Sequence, residues 1–262
     1  MNGYRHLRIE RRDSVLRVTI DRPEQRNPLS TEVLGELRRA FTEAAADDSL
    51  RAAVVTGAGE KSFAAGGDLK EFDRLRGTDD AERLWTHANE ALRAVREFPL
   101  PVIAALNGVA LGGGAELAVA CDFRVAARHA AIGFVQGRLN ICTGFGGGAD
   151  LVALVGGQRA LSILIRAETM AAEQARSIGL VDEIASEGES LDACIERFLE
   201  PIRAHAPQVL RAFKTIASGD RLALTREQRE QRERAALVAT WVHPDHWQAS
   251  DRFLSRSKRG AA

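Results

Sequence analysis

Along the first fifty residues the apolar positions change their period. From His6 to Ile20, LRIERR and SVLRVTI alternate on either side of Arg12-Asp13, which predicts a β-hairpin. DRPEQRNPLS follows as a polar loop. Thr31 to Ala46 then sets Val33, Leu34, Leu37, Phe41 and Ala44 on one side at helical spacing, with Ser30 or Thr31 as N-cap. Arg51 to Thr56 reads as a strand and Gly57-Ala58-Gly59 as a turn. Gly66-Gly67 stands before Asp68, an N-cap for the next helix. Asp79 to Phe98 is amphipathic, with Trp85 and Leu92 on its apolar stripe, and ends before Pro99. Pro101 to Leu106 is a short apolar run that suits a buried strand, and Asn107-Gly108 is a turn signal. Gly112-Gly113-Gly114 opens an alanine-rich helical pattern. A strand over Asp122 to Ala126 and a third glycine cluster, GFGGGADLVALVGG, come next. Strands alternating with helices up to about Leu180 predict an α/β fold. Beyond Leu191 the pattern is helical with no strand evident, so the chain divides at about 190/191. Arg221 to Ala236 mixes signs along a helix, which predicts a solvated face with i,i+4 pairs.

The two strand-glycine-helix junctions change the picture from fold to chemistry. The first N–H groups of a helix have no partner inside it, the helix dipole adds partial positive charge, and glycine lets a ligand approach the main chain closely. Such a junction suits an oxygen carrying negative charge. If the junctions at Gly66-Gly67 and Gly112 to Gly114 face each other, one N–H from each forms a two-donor oxyanion hole. Glu116 lies in the first turn after the second junction, within reach of whatever binds there.

Composition narrows the function classes. The chain has 262 residues, 45% of them apolar, enough for a substantial core. Lys plus Arg equals Asp plus Glu at 36 each, so no overall field draws it to nucleic acid or an acidic membrane. Cys121, Cys142 and Cys194 form no metal-binding or C-x-x-C pattern and read as reduced, mostly buried thiols. MNGYRHLRIERRD has no apolar signal core and no run has the length to span a bilayer, so a cytoplasmic location is expected. VVTGAGEKS fails as a dinucleotide fingerprint, with Ser62 at the third glycine, and as a P-loop, with Glu60 before Lys61-Ser62. G-x-S-x-G and H-E-x-x-H are absent from the sequence.

RPEQRNPLS, SFAAGGDLKEF, NGVALGGGAELAVACDFRVA and GGQRALSILIRAETMAAEQARSIGLVDEI together resemble the enoyl-CoA hydratase/isomerase family, the crotonase superfamily, from about Leu16 to Lys258. The resemblance implies a spiral of ββα units over residues 1–190, carrying an acyl-CoA site. It implies a C-terminal helical region over 191–262 that makes trimer contacts, and a homotrimer or homohexamer; the residues alone place Trp241 and Trp247 either against another subunit or in the core of the same chain. It implies an acyl-CoA substrate, with coenzyme A as part of it, and no redox cofactor or metal. Carried over by motif, the oxyanion donors fall on Gly67 and Gly113, and Glu116 matches an acid/base glutamate. Arg26 and Lys70 match contacts to the CoA phosphates and adenine, and Ala65 a carbonyl that meets the adenine. The departure is Gln136, where the hydratases carry a second glutamate. An amide can orient a water or a carboxylate but cannot transfer a proton at ordinary pH.

Three acyl-CoA reactions fit one oxyanion hole and one glutamate. Double-bond isomerisation needs a single base that moves a proton. Hydration needs water activated and Cα protonated, both through Glu116. Decarboxylation of a malonyl-type thioester needs no base, and FVQGRLNICTGFGG looks somewhat like the ethylmalonyl-CoA decarboxylase branch. The hydratase/isomerase class is the expectation and the decarboxylase the alternative. A non-catalytic acyl-CoA or RNA-binding relative is the reading from a different class, opposed by the neutral charge and by the retained glycine junctions with Glu116.

Overall fold

The computed structural model describes residues 3–219 and 221–259, with side chains through Arg252. The hairpin forms, β1 (Leu7–Arg12) pairing antiparallel with β2 (Val15–Ile20), but its turn lies one residue beyond the expected Arg12-Asp13. Asp13 and Ser14, both at positive φ, make its two-residue turn. The helix α1 (Thr31–Ala44) follows, capped by Ser30. From there each turn of the chain lays down one strand in each of two sheets and then a helix. β3 (Ala52–Gly57) and β4 (Ser62–Ala64) lead to the short α2 (Leu69–Phe72) and the long α3 (Thr78–Arg96). β5 (Val102–Leu106) and β6 (Val109–Leu111) lead to α4 (Gly113–Ala120). β7 (Phe123–Ala126) and β8 (Ala131–Gly133) lead to α5 (Gly147–Val155) and α6 (Gly157–Arg166). β9 (Met170–Ala171), α7 (Ala172–Ser177) and β10 (Glu183–Ile184) close the spiral.

The larger sheet has the order β1-β2-β3-β5-β7-β10, parallel except for the hairpin, and the smaller has β4-β6-β8-β9. The central strands β3 and β5 of the larger sheet are covered on both faces, so their sequences read as apolar runs rather than alternation. In β3, Ala53 and Val55 enter the main core with α1, α3 and α4, while Ala52 and Val54 enter a second cluster. That second cluster is completed by Cys194, Ile195 and Leu199 of α8 (Leu191–Arg203). α9 (Pro207–Ala217), α10 (Arg226–Trp241) and α11 (Pro244–Arg259) make the remaining C-terminal region helical.

Several expectations are corrected. β4 and β6 are too short, at three residues each, to show a period in sequence. Trp85 does not join the apolar stripe of α3 with buried Leu92: it is 52% exposed. Arg221 precedes α10 instead of lying on it. Its guanidinium donates to the Val119 and Ala120 carbonyls at the end of α4 and pairs with Asp150 at 2.9 Å. Cys142 is exposed, unlike the other two thiols.

Two buried asparagines hold the first glycine junction in place. Asn27 Nδ2 donates to the carbonyls of Ala58 and Ser62, and Asn107 Nδ2 to those of Gly59 and Ser62. Asn107 Oδ1 accepts from the Gly57 N–H at 3.1 Å. The β3–β4 connection therefore has its main-chain groups satisfied by side chains in place of a sheet ladder.

Candidate active site

α4 is buried on every side, and within GGAELAVA only Glu116 is polar. A helix that is apolar all round belongs in a core, so one carboxylate in it marks a place where burial is offset by specific partners. Gly112 caps the helix at φ 51°, ψ −118°, a conformation that suits glycine. At Gly114 a side chain would overlap the carbonyl of Ala64, so α4 lies directly against β4.

That close approach brings the two glycine junctions together. A Cβ placed on Gly66 would stand 4.0 Å from the Gly113 nitrogen. Around Gly67, the Leu29 N–H donates to the Gly66 carbonyl and the Asp68 N–H to the Leu29 carbonyl. Around Gly113, the Gly112 N–H donates to the Gly133 carbonyl and the Glu116 N–H to the Gly112 carbonyl. Between these bonded neighbours, the N–H groups of Gly67 and Gly113 have no acceptor among the described residues. Both glycines line one cavity of about 900 Å³. Its walls are mainly apolar, and include Leu69, Phe72, Trp85, Leu139, Ile141 and Phe145. The half-exposed Trp85 is thus part of the cavity wall.

Glu116 lines the same cavity and is 1% exposed. Its Oε1 accepts from Gln136 Nε2 at 2.8 Å and from the Gly144 N–H at 3.1 Å. Its Oε2 accepts from the N–H groups of Phe145 at 2.8 Å and Gly147 at 2.9 Å. Burial pushes the carboxyl above its ordinary pKa, and the four donors oppose that rise without cancelling it. The third glycine cluster thus has a purpose that the residue pattern alone did not reveal. It turns the N–H groups at the start of α5 toward Glu116. Phe145 was missed as well: a Cβ on Gly113 would stand 2.5 Å from its ring and one on Gly67 3.5 Å, so the ring borders both junctions. A signal for the N–H donors was present, since glycines before a helix leave unpaired N–H groups.

The other expected site residues divide. Gln136 is buried, 8% exposed, at the cavity wall. Ala65 also lines the cavity, and its N–H donates to the Arg26 carbonyl at 3.0 Å. Arg26 and Lys70 are exposed and lie outside the lining, Lys70 directly after the lining residue Leu69. Among the described residues there is no group of three His, Cys, Asp or Glu side chains arranged for a metal ion. No helix among them is long and apolar enough to cross a membrane.

The described chain is thus a spiral of paired strands with two glycine junctions and a buried carboxylate on one cavity. The model of the enoyl-CoA hydratase/isomerase family matches residues 10–258, and the chain belongs to that family. It is 35% identical over 206 residues to the short-chain-enoyl-CoA hydratase of Clostridium acetobutylicum, covering 79% of this chain and 78% of that one. It is 33% identical over 238 residues to the 2,3-dehydroadipyl-CoA hydratase of Escherichia coli, covering 89% and 90%. The crystal structure of enoyl-CoA hydratase from Bacillus anthracis superposes with a TM-score of 0.89 at 30% identity, covering 96% of this chain and 97% of that one. All three are named hydratases and none of them favours the decarboxylase alternative. The chain is an enzyme of the enoyl-CoA hydratase/isomerase type.

Proposed function

We propose that this enzyme moves protons on enoyl-CoA thioesters, with the thioester oxygen held by the Gly67 and Gly113 N–H groups and Glu116 as the only proton-transfer side chain. The observation that carries the reading is the pair of unpaired N–H groups, from two separate junctions, opening on one cavity beside Glu116. As negative charge develops on the thioester oxygen, two fixed donors and the N-terminus of α4 stabilise it more than they stabilise the neutral carbonyl. In isomerisation, Glu116 removes a proton from the acyl chain and returns it elsewhere along the conjugated system. In hydration, the same carboxyl takes a proton from water and delivers one to Cα. Gln136 exchanges no proton in either reaction. Arg26, Lys70 and the Ala65 carbonyl are assigned to the CoA phosphates and adenine, with the apolar cavity taking the acyl chain.

The test is the hydration of crotonyl-CoA and the isomerisation of a 3-enoyl-CoA by wild type, Glu116→Gln and Gln136→Glu. Glu116→Gln is expected to lower kcat about a hundredfold or more in both reactions while KM changes little, because backbone donors hold the thioester. A base must be ionised, so kcat/KM should fall as pH drops through a Glu116 pKa above the ordinary carboxylate range. Gln136→Glu should raise hydration, as a second carboxyl held protonated beside the first can act as acid. Near wild-type turnover by Glu116→Gln would refute the assignment.

A further inference from the structure

Gln136 is buried at the cavity wall with one end of its amide committed and the other unmatched. Nε2 donates to Glu116 Oε1 at 2.8 Å, while Oε1 is buried with no hydrogen-bond partner among the described residues. A buried acceptor without a donor is costly, so its retention calls for an explanation. The orientation itself follows from charge: turned the other way, the amide oxygen would face an ionised carboxylate oxygen, acceptor against acceptor. Nε2 toward Glu116 is therefore the arrangement for ionised Glu116.

Protonation of Glu116 reverses that logic. A carboxylic acid has an O–H to donate, and the nearest side chain able to accept it is the amide that had been donating. A half-turn about the last Gln136 side-chain bond exchanges Oε1 and Nε2 with little displacement of either position. The three N–H groups from Gly144, Phe145 and Gly147 can go on donating to the carboxyl oxygens in both states. We propose that Gln136 is a positioning residue that turns with each proton transfer, donating through Nε2 to ionised Glu116 and accepting through Oε1 from protonated Glu116. Each state then has one amide end bonded to Glu116 and one end unmatched. An amide that bonds both states holds the ionised form less strongly than a donor that serves it alone, which suits a lone carboxyl that must both take a proton and give it back.

The inference rests on Glu116 being the proton carrier and describes how it changes state. When a substrate Cα–H bond breaks, its proton forms an O–H bond on the Glu116 carboxyl and the electron pair passes into the enolate. The amide turns to receive that O–H, and turns back when the proton returns to carbon. Among the described residues, Glu116 has no charged hydrogen-bond partner. The titratable side chains elsewhere on the cavity wall, Glu82, Arg138 and Cys142, make no hydrogen bond or ion pair to Glu116.

The experiment is an infrared pH titration of the full-length protein without substrate, on wild type, Glu116→Gln, Gln136→Met and Gln136→Leu. The carboxylic C=O band absent from Glu116→Gln belongs to Glu116, and the amide C=O band absent from both Gln136 variants belongs to Gln136. As Glu116 takes its proton, the Gln136 C=O band should move to lower frequency, because its oxygen gains a donor. In Gln136→Met and Gln136→Leu the Glu116 acid band should move to higher frequency, and its titration midpoint should stay within about half a unit of wild type. An amide that serves the ionised state alone would give an unmoved Gln136 band and a midpoint raised by about one to two units, and either result overturns the proposal. Because substrate is absent, these readings stand apart from whether enoyl-CoA is turned over. Loss of fold in one Gln136 variant leaves the other to assign the Gln136 band, whose shift in wild type then decides.

Discussion

Cys121, Cys142 and Cys194 carry the same side chain into three settings. Cys121, at the end of α4, is fully buried, and burial pushes its thiol up to about 12. Cys194, on α8, is also buried and its thiol is raised by burial and by Glu189 and Glu183. Cys142 is exposed on the cavity wall between Ile141 and Thr143. Reactivity of a thiol follows thiolate character and access, so these settings separate them. Alkylation of the folded protein near pH 8, read by peptide mass spectrometry, should label Cys142 at least about tenfold faster than the other two. An acyl-CoA bound in the cavity should slow that labelling. Equal labelling of Cys121 would contradict its burial. Residue types and spacing made Glu116 and the two glycine junctions legible, and the family resemblance singled out Gln136, Gly67 and Gly113. The exposed thiol and Phe145 were not, because each reaches the cavity from a loop whose path depends on distant packing.

At the scale of elements, the donors that hold Glu116 are only as well placed as α5. That helix is anchored by Asp150, 5% exposed in its side chain, which pairs with Arg96 of α3 and with Arg221, each at 2.9 Å. Arg221 also reaches Asp122 at 3.5 Å, and Lys214 of α9 pairs with Asp122. The charged cluster joins α3, α5, α9 and the segment before α10 around the carboxyl end of α4, where cations also complement the helix dipole. Removing one partner of a buried pair leaves the other charged and unmatched. Asp150→Ala should therefore cost about 3–5 kcal/mol of stability in thermal or denaturant unfolding. Its activity should fall as well, because the start of α5 loses its anchor. A loss under about 1 kcal/mol would mean that the two arginines find water or other partners at little cost. Sequence periodicity treated Arg221 as one more charge on a helix, since pairing with Asp150, seventy-one residues away, has no local signature.

At the scale of the whole molecule, the C-terminal helices expose apolar side chains that a single chain does not cover. Leu237, Val238, Trp241 and Val242 on or just after α10 and Trp247 on α11 are each about half exposed or more. Trp241 and Trp247 pack edge to face with ring centroids 5.7 Å apart, so together they present a shaped apolar surface. We expect a trimer or hexamer in solution, with these helices between subunits. Light scattering at micromolar concentration should report three or six chains, and Trp241→Glu should reduce that number. A wild-type monomer would reject the expectation.

The sequence by itself determined the elements whose period or punctuation is local: a hairpin turning near Asp13, α1 behind a cap at Ser30 or Thr31, the buried runs of β3 and β5, and the glycine junctions. Its motif order was enough to indicate the family. Tertiary structure decided what those elements do to one another. β4 and β6 exist because a neighbouring strand pairs with each, not because three residues prefer to be extended. Gly67 and Gly113 form one site because α4 packs against β4, with Gly114 leaving room for the Ala64 carbonyl. Whether Glu116 is solvated or held by four donors depends on α5 arriving from thirty residues further along the chain. Local pattern specifies which groups carry chemistry; packing over long separations sets their burial and their partners, and these two together set the protonation behaviour on which the chemistry depends.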